Sequence, residues 1–377
     1  MTVGDGRREG RVVACYVSGH GYGHAVRTAD WVRSMKGKAG RVVVSSALGR
    51  EFWASRVGDW VESRRERFDV GLAQRDSVRG DWEETWRRLV SMRAGWGAAV
   101  ERERAFLRKI GATLVVSDVS GVAFEAAAGE GIPALGIGNF DWEWIYGKMG
   151  ERDGRFAEAA GWYREAYARA AEWAALPFAP GNWTPGGGGV GLRPGLLARA
   201  GRNRREEMAK ALELDPGKVW VLAALTGLEW ADGAGRRLEA MQGCEIVGVA
   251  PLTMPETANA RLVEAEEWAF GDLVATCDVA VGKPGYGLVS DCAANGTPLV
   301  YTGREDFPEY FPLREHIRQC LRNAYLEPDA LYRGDWGAAV EEALSADRAG
   351  LEPVRVGGSE AVAEWVVEWG ERGAASR

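Results

Sequence analysis

Two histidines lie four positions apart in one glycine-rich turn of this 377-residue chain. The sequence of residues 18–27 is SGHGYGHAVR, in which His20 and His24 carry the imidazoles. A neutral imidazole accepts a proton near neutral pH, so a histidine in such a turn is a candidate general base. Either histidine suits that role, and the alternative for each is a purely structural place in the turn.

A histidine that acts as a base needs a carboxylate to fix its tautomer and to stabilise the imidazolium. Asp118 is the natural partner, because it ends an apolar run at residues 113–117 that predicts a buried strand. The histidine turn follows the first predicted strand, residues 12–17, so both side chains are expected at the carboxyl rim of one sheet. The alternative is that Asp118 caps the helix after it, and one residue can do both.

A second glycine-rich turn, GKPGYGLVSD at residues 282–291, also follows a predicted strand. A helix is predicted to begin near Leu288, and amides at a helix N-terminus attract phosphate through their hydrogens and the helix dipole. Lys283 adds a full positive charge. The chain has neither a complete dinucleotide fingerprint nor a P-loop, so NAD binding and ATP-type phosphoryl transfer are not supported.

A charged stretch at residues 301–310 follows the next predicted strand. A carboxylate there, Glu309, is able to accept the hydroxyls of a ribose or a sugar. Arg304 and Glu305 are expected to be part of a solvated charge cluster instead.

Composition places these turns in an ordinary globular protein, with 46% hydrophobic and 27% charged residues. The net charge of −7 disfavours nucleic acid or an anionic membrane as the main partner. The five cysteines are scattered without a CxxC pair, so no disulfide framework, zinc site or other metal site is expected. No signal peptide or membrane-spanning run is apparent, and the expected location is the cytoplasm.

The order of predicted elements gives the domain organisation. Short β-branched runs alternate with helical stretches on both sides of a Pro/Gly-rich segment, residues 181–195. The pattern predicts an α/β protein with two doubly wound domains, residues 11–180 and 196–355, facing each other across a cleft. A helix is expected over residues 356–377.

Aromatic residues are concentrated in two stretches of the first half. Residues 81–109 predict one or two amphipathic helices whose tryptophans pack in the core. Residues 138–146, GNFDWEWIY, are expected either to pack over a ligand cleft or to cap a helix near residues 156–175.

Together, residues 18–27, 138–146 and 282–291 resemble the GT-B glycosyltransferases. The closest likeness is to predicted bacterial glycosyltransferases related to the amino-terminal half of plant L-arabinokinase. More distantly, the GYGH sequence at residues 21–24 is similar to a turn of the MurG-like and UDP-glycosyltransferase families. The resemblance implies a GT-B fold with two Rossmann-like domains.

In the UDP-glycosyltransferases the histidine of this turn deprotonates the acceptor with the help of an aspartate, and His24 and Asp118 match those positions. Residues 278–309 resemble the signature that holds the donor diphosphate. Two departures stand out: Asp291 replaces the usual glutamate, and Lys283 with the following proline replaces a histidine-containing turn.

The predicted function is transfer of a sugar, with inversion and without a metal, from a nucleoside-diphosphate sugar to an acceptor hydroxyl. A UDP-sugar is the expected co-substrate, and no other cofactor is expected. The predicted catalytic residues are His24, Asp118 and His20. The predicted donor-side residues are Gly227, Lys283, Gly285, Tyr286, Gly287, Leu288, Asp291 and Glu309. The predicted acceptor-side residues are Gly21, Tyr22, Asn139, Asp141 and Trp142. The alternatives are a nucleotide-sugar 2-epimerase of the same fold and a non-catalytic nucleotide-sugar-binding module.

Overall fold

The computed structural model describes residues 11–264 and 267–375, and the chain within it forms two compact units. Unit 1 and unit 2 each contain one parallel sheet with helices between the strands, which confirms the predicted α/β class. Unit 1 contains residues up to 73, 82–197 and those from 357 onward, and unit 2 contains residues 74–81 and 198–356.

The sheet of unit 1 has seven parallel strands. They are β1 (Val12–Val17), β2 (Arg41–Ser46), β3 (Glu62–Arg65), β4 (Leu114–Asp118), β5 (Ala134–Gly138), β6 (Glu172–Ala175) and β7 (Val190–Leu192). Their order is β3-β2-β1-β4-β5-β6-β7. The apolar residues of β1 and β4 are buried almost without exception, as expected for central strands covered on both faces.

Six helices of unit 1 connect these strands: α1 (Tyr22–Ser34), α2 (Arg50–Val57), α3 (Trp82–Ile110), α4 (Gly121–Gly129), α5 (Trp142–Gly150) and α6 (Arg155–Tyr167). The stretch at residues 81–109 is a single helix, α3. Its Leu89 and Trp96 are buried, which confirms the predicted core role for Trp96. Trp82 and Trp86 are only half-buried, although Trp86 stacks on Trp162. Val90 of this helix is 48% exposed.

Unit 2 repeats the architecture with six parallel strands: β8 (Val219–Ala224), β9 (Cys244–Val249), β10 (Ala260–Val263), β11 (Val279–Gly282), β12 (Leu299–Thr302) and β13 (Asn323–Leu326). Their order is β10-β9-β8-β11-β12-β13. The helices are α7 (Arg205–Leu212), α8 (Ala234–Glu239), α9 (Phe270–Thr276), α10 (Tyr286–Asn295), α11 (Tyr310–Cys320), α12 (Pro328–Arg333) and α13 (Gly337–Ser345).

The last helix, α14 (Gly358–Ala375), belongs to unit 1. Its Val362 and Val366 are fully buried in the same apolar cluster as Val32 of α1. The helix expected over residues 356–377 therefore completes the core of the first sheet, and its residues 376 and 377 lie outside the described part of the chain.

The predicted linker at residues 181–195 is wrong, because β7 lies inside it and pairs with β6. A Cβ on Gly188 would lie 1.8 Å from the carbonyl oxygen of Ala171, so only glycine permits this close approach of the two backbones. The chain passes from unit 1 to unit 2 after Leu197 instead.

The helix expected near residues 156–175 ends at Tyr167, and residues 172–175 form β6. The run around Glu172 is rich in good helix formers, but pairing with β5 on one side and β7 on the other overrides that local preference.

A short segment assigned by sequence to the first domain, residues 74–81, belongs to unit 2. Val78 is its anchor: the side chain is buried in the apolar cluster of unit 2 together with Leu225 and Leu228. The predicted domain of residues 11–180 is therefore interrupted.

Candidate functional site

The histidine turn lies at the carboxyl end of β1, where α1 begins. Gly21 is the residue before the helix and has a φ of 75°, a conformation that favours glycine. Val17 at the end of β1 is paired in register with Asp118 at the end of β4, so the two neighbouring strands bring the turn and the carboxylate to the same rim. His24 follows in the first turn of α1 and is 7% exposed.

His24 and Asp118 form a hydrogen-bonded pair, with Nδ1 of the imidazole 2.8 Å from Oδ1 of the carboxylate. With the proton on Nδ1 this bond is satisfied and the lone pair is on Nε2; Nη2 of Arg27, which can only donate, also lies 2.9 Å from Nδ1. Among the described residues, Nε2 of His24 has no hydrogen-bond partner. This arrangement suits a base whose tautomer is fixed from behind by a carboxylate.

Arg27, which the sequence prediction missed as a site residue, holds the same carboxylate. Its Nε donates to Oδ2 of Asp118 at 2.7 Å and its Nη2 to Oδ1 at 2.5 Å, a bidentate geometry. Its Nη1 donates to Oδ1 of Asn139 at 2.5 Å. The signal in the sequence was its spacing, because Arg27 follows His24 by three residues in a helix and therefore lies on the same face.

These partners keep Asp118 ionised. Burial alone would raise the pKa of Asp118, but the charges of Arg27 and His24 and their hydrogen bonds outweigh burial and hold that pKa well below its usual range. The carboxylate is therefore a fixed negative charge in the ligand-free protein.

Asp118 does not cap the next helix, because Ser120 is the residue before α4. Between them, Val119 has a φ of 57°, which is unusual for a β-branched residue. The carbonyl of Val119 accepts a hydrogen bond of 2.7 Å from the Tyr167 hydroxyl, so the surrounding structure holds this strained turn directly after the carboxylate.

His20 is held differently from His24. Its Nδ1 accepts a 3.3 Å hydrogen bond from the amide of Leu72, and its ring packs edge-on against Trp142. An accepting Nδ1 places the proton of the neutral ring on Nε2, which makes His20 a donor at that atom. A Cβ on Gly71 would lie 2.3 Å from this Nδ1, so glycine is needed for the contact.

Asp69 holds the histidine turn through hydrogen bonds to Gly19 and Trp142. Its Oδ1 accepts from the amide of Gly19 at 2.9 Å, and its Oδ2 accepts from Nε1 of Trp142 at 3.3 Å. Burial raises the pKa of Asp69, opposed by the charge of His24 and by these hydrogen bonds. The sequence prediction had no signal for this residue, because it lies far from both glycine-rich turns.

The predicted acceptor-side residues divide into two groups. Tyr22 is 59% exposed at the start of α1, beside Gly21. Asp141 and Trp142 are almost fully buried, which contradicts a direct contact with an acceptor. Asn139 is also buried and holds Arg27.

Asp141 and Trp142 are buried because β5 leads almost directly into α5, so residues 138–146 do not form an open loop. Oδ1 of Asp141 caps α5 by accepting from the amide of Trp144 at 2.8 Å, and Oδ2 accepts from Nε1 of Trp183 at 2.9 Å. Burial raises the pKa of Asp141 to about 7, against these hydrogen bonds.

The donor-side residues of unit 2 surround the turn between β11 and α10. The helix begins at Tyr286 after Gly285, and no side chain caps it, so the first amides of α10 have no intrahelical partner. Gly287 is exposed. A Cβ on Gly282 would lie 2.6 Å from Leu288 and 2.7 Å from a carbonyl oxygen of β8, so glycine lets the turn lie close to the neighbouring strand.

Sheet order places the other donor-side residues near this turn. β11 lies between β8 and β12, so Gly227 after β8 and Glu309 after β12 flank it along the same rim. Glu309 is buried, and Asp291 is half-buried farther along α10.

Arg304 contradicts its expected place in a solvated charge cluster. Its side chain is only 5% exposed, because the turn after β12 folds the guanidinium onto the ring of Phe307, at 3.5 Å from the ring centroid. Glu305, its neighbour, is exposed as expected.

Across residues 11–264 and 267–375, no group of three or more His, Cys, Asp or Glu side chains is placed to hold a metal ion. Within the same residues, no helix combines the length and the apolar character that crossing a membrane requires.

Comparison with known proteins agrees with the predicted resemblance. L-arabinokinase of Arabidopsis thaliana is 28% identical over 363 residues, which cover 92% of this chain and 33% of that protein. The chain therefore spans about a third of the length of this relative. No protein-family model matches the chain.

Solved structures confirm the predicted GT-B fold. A UDP-glucosyltransferase from Polygonum tinctorium has a TM-score of 0.62 at 15% identity, over 96% of this chain and 98% of its own. A calicheamicin glycosyltransferase has a TM-score of 0.57 at 14% identity, over 96% and 99%. The glycosyltransferase VinC, in complex with dTDP, has a TM-score of 0.54 at 14% identity, over 96% and 95%.

Proposed function

We propose that this protein is a glycosyltransferase that moves a sugar from a nucleoside-diphosphate sugar to an acceptor hydroxyl with inversion. The observation that carries the proposal is the pair formed by His24 and Asp118, in which a buried, ionised carboxylate accepts from Nδ1 and leaves Nε2 with a lone pair. The fold of the solved relatives supports the same activity, since they include a UDP-glucosyltransferase and an enzyme in complex with dTDP.

In the proposed reaction, Nε2 of His24 takes the proton of the acceptor hydroxyl. The acceptor oxygen forms a bond to the anomeric carbon of the donor while the bond from that carbon to the diphosphate breaks. The electron pair of the broken bond stays on the diphosphate, and attack from the opposite face inverts the anomeric centre. Asp118 stabilises the imidazolium that forms.

His20 has a different role in this proposal, that of a hydrogen-bond donor. Its Nδ1 is already occupied by the amide of Leu72, so its Nε2 carries a proton at neutral charge. An N–H group beside the base is suited to hydrogen-bond and orient a hydroxyl oxygen of the acceptor substrate. His24 is therefore the base and His20 a binding residue.

The donor side of the proposal uses the turn between β11 and α10. The amides of residues 285–288 and the ammonium of Lys283 stabilise the negative charge that develops on the leaving diphosphate. This scheme needs no metal ion and no cofactor besides the nucleotide sugar, which we propose to be a UDP-sugar.

The test is acceptor-dependent release of nucleoside diphosphate, measured with a panel of nucleotide sugars and acceptor alcohols after a thermal-shift screen has identified the donor. His24→Ala is expected to lower transfer by about 10³-fold or more, because the general base is lost, while donor affinity stays unchanged. His316→Ala, a histidine of α11, is the matched control and is expected to retain transfer.

Two results would count against the proposal. Transfer by His24→Ala at the wild-type rate removes the base assignment. Release of a 2-epimerised sugar without any acceptor points instead to an epimerase.

A further inference from the structure

Arg304 is a buried cation that forms no ion pair among the described residues. Its side chain is 5% exposed, yet among the described residues the guanidinium takes part in no ion pair and Nε has no hydrogen-bond partner. Within the described part of the chain, the guanidinium lies over the face of the Phe307 ring. An unpaired buried charge is unfavourable, so such a group is normally completed by an anion.

Three carboxylates act on Arg304 through their charges. Burial lowers the pKa of Arg304 to about 10, and Glu309, Asp76 and Asp306 oppose this shift. Among the described residues, none of them forms an ion pair with the guanidinium, so none completes its hydrogen bonds.

Asp76 in particular is occupied by other partners. Its Oδ1 accepts from the amides of Val78 and Arg79, both at 2.8 Å. Its Oδ2 accepts from the Tyr332 hydroxyl at 2.9 Å and pairs with the Arg79 side chain at 2.6 Å. This carboxylate holds the turn of residues 74–81, and its direct partners do not include Arg304.

Lys283 is a second cation close to Arg304. Burial and the charge of Arg304 lower the pKa of Lys283 to about 8, against the charges of Glu309 and Asp76. The ammonium has no ion pair among the residues that the structure describes. Two neighbouring cations that repel each other and have no fixed partner form a site for a ligand with two negative charges.

The position of the two cations agrees with a ligand site. Lys283 follows β11 and Arg304 follows β12, which are neighbouring strands, and both lie at the carboxyl ends where open α/β sheets bind ligands. The uncapped N-terminus of α10 begins three residues after Lys283.

Residues 74–81 cross the same rim. Ser77 Oγ lies 3.2 Å from Thr226 Oγ1 after β8, and the amide of Gly80 donates to Oδ2 of Asp306 at 3.0 Å after β12. The segment thus connects the loops on either side of the β11 turn, and it fixes the loop that carries Arg304.

We infer that Arg304 and Lys283 together bind the two phosphates of a nucleoside diphosphate, with Arg304 as the residue that makes this site selective for diphosphate over monophosphate. The inference rests on the proposed function and adds to it a binding residue on the loop after β12. A guanidinium offers the planar, forked donors that suit phosphate oxygens, whereas the ammonium acts as a point charge.

The test compares Arg304→Met with the wild-type chain by calorimetric titration of inorganic pyrophosphate, UDP and UMP. Arg304→Met is expected to weaken pyrophosphate and UDP binding by about 10- to 100-fold and UMP binding far less, because charge-assisted hydrogen bonds to one phosphate are lost. Arg318→Met, which removes an exposed positive charge of α11, is the control and is expected to bind all three as the wild type does.

Thermal melting without ligand separates ligand binding from a structural role. If Arg304 serves the ligand, its replacement removes an uncompensated buried charge, so the melting temperature of Arg304→Met is expected to stay level or rise. A fall in melting temperature with unchanged pyrophosphate affinity would overturn the inference. If Arg304→Met does not fold, Arg304→Lys replaces it: about tenfold weaker pyrophosphate binding is expected, and unchanged binding overturns the inference.

The inference and the proposed function fail separately. If the chain transfers sugar but binds diphosphate equally well without Arg304, the inference alone is contradicted. Arg304-dependent binding of pyrophosphate by a chain that transfers no sugar contradicts the proposed function alone.

Discussion

The two glycine-rich turns of this protein present opposite electrostatic situations. In unit 1, the central charge is the carboxylate of Asp118, and the chain itself supplies its partners, His24 and Arg27. In unit 2, the central charges are the cations of Lys283 and Arg304, and within the described residues neither has an ion-pair partner. The first site is complete without a ligand, and the second is not.

This difference separates two ways of building a site. A saturated carboxylate fixes the orientation of its histidine before any substrate arrives, which is what a base requires. An uncompensated cation pair is unfavourable in the folded protein and becomes favourable when an anion binds. Changes to Asp118 are therefore expected to lower both stability and turnover, whereas changes to the cations of unit 2 are expected to lower ligand affinity.

The largest effect is expected from Asp118→Asn. The change removes the charge that pairs with Arg27 and the acceptor that fixes the His24 tautomer. Loss of one partner of a buried pair costs about 3–5 kcal/mol in the free energy of unfolding. Turnover is expected to fall by about 10³- to 10⁴-fold, as for a misoriented histidine base. Denaturant unfolding and acceptor-dependent release of nucleoside diphosphate measure the two effects.

Asp30→Asn is the matched control for this prediction, because Asp30 lies on α1 and pairs with Arg33 near the surface. A surface pair contributes about 0–1 kcal/mol, so stability and turnover are expected to change little. Equal behaviour of the two variants would mean that the pairing of Asp118 has no special importance.

A smaller effect is expected from pH on the ligand site of unit 2. Burial and the charge of Arg304 lower the pKa of Lys283 to about 8 in the ligand-free protein. A bound diphosphate favours the charged ammonium, so affinity is close to its full value at pH 7 and falls as pH rises through 8. Calorimetric titration of UDP is expected to show a loss of up to about tenfold between pH 7 and 9.

Lys283→Met provides the comparison for this pH dependence. The variant is expected to bind UDP more weakly at pH 7 and to show a flat affinity profile between pH 7 and 9, since the titrating group is gone. If the variant keeps the wild-type decline, the titrating group is another residue, and Lys283 has no part in diphosphate binding.

The sequence allowed prediction of the features that depend on local pattern. Apolar runs located β1, β4 and β11, and glycine-rich turns after β1 and β11 added to the signal. They therefore located the ends of the strands where His24, Asp118 and Lys283 lie. The resemblance implied two Rossmann-like domains, and these residues lie close enough to strand ends for their positions to follow.

The errors arose where tertiary contacts decide the outcome. Arg304 was expected in solvent because charged clusters usually are, and only the fold of the turn over Phe307 buries it. Trp142 was expected on the acceptor side, but it is the first residue of α5 and is fully buried. Residues 74–81 joined unit 2 through Val78, one apolar residue in a polar stretch, which no periodic pattern reveals.

The smallest effect is expected from the glycines of the histidine turn, Gly21 and Gly23. A Cβ added at either position meets no atom within 4 Å, so crowding does not distinguish them. Gly21 has a φ of 75°, whereas Gly23 lies inside α1. Gly21→Ala is therefore expected to lower the free energy of unfolding by about 1 kcal/mol, and Gly23→Ala to raise it by about 0.5 kcal/mol.

Thermal melting of the two variants measures these opposite changes in stability. Pyrophosphate titration of the same variants tests whether a change in the histidine turn affects the ligand site of unit 2. Because both glycines belong to the site that is complete without ligand, pyrophosphate affinity is expected to stay at the wild-type value in both variants. Destabilisation of equal size by the two alanines would mean that the left-handed backbone at Gly21 is not what the turn requires. A change in pyrophosphate affinity would mean that the two sites are energetically coupled. The histidine turn and the cation pair could then not be treated as independent sites.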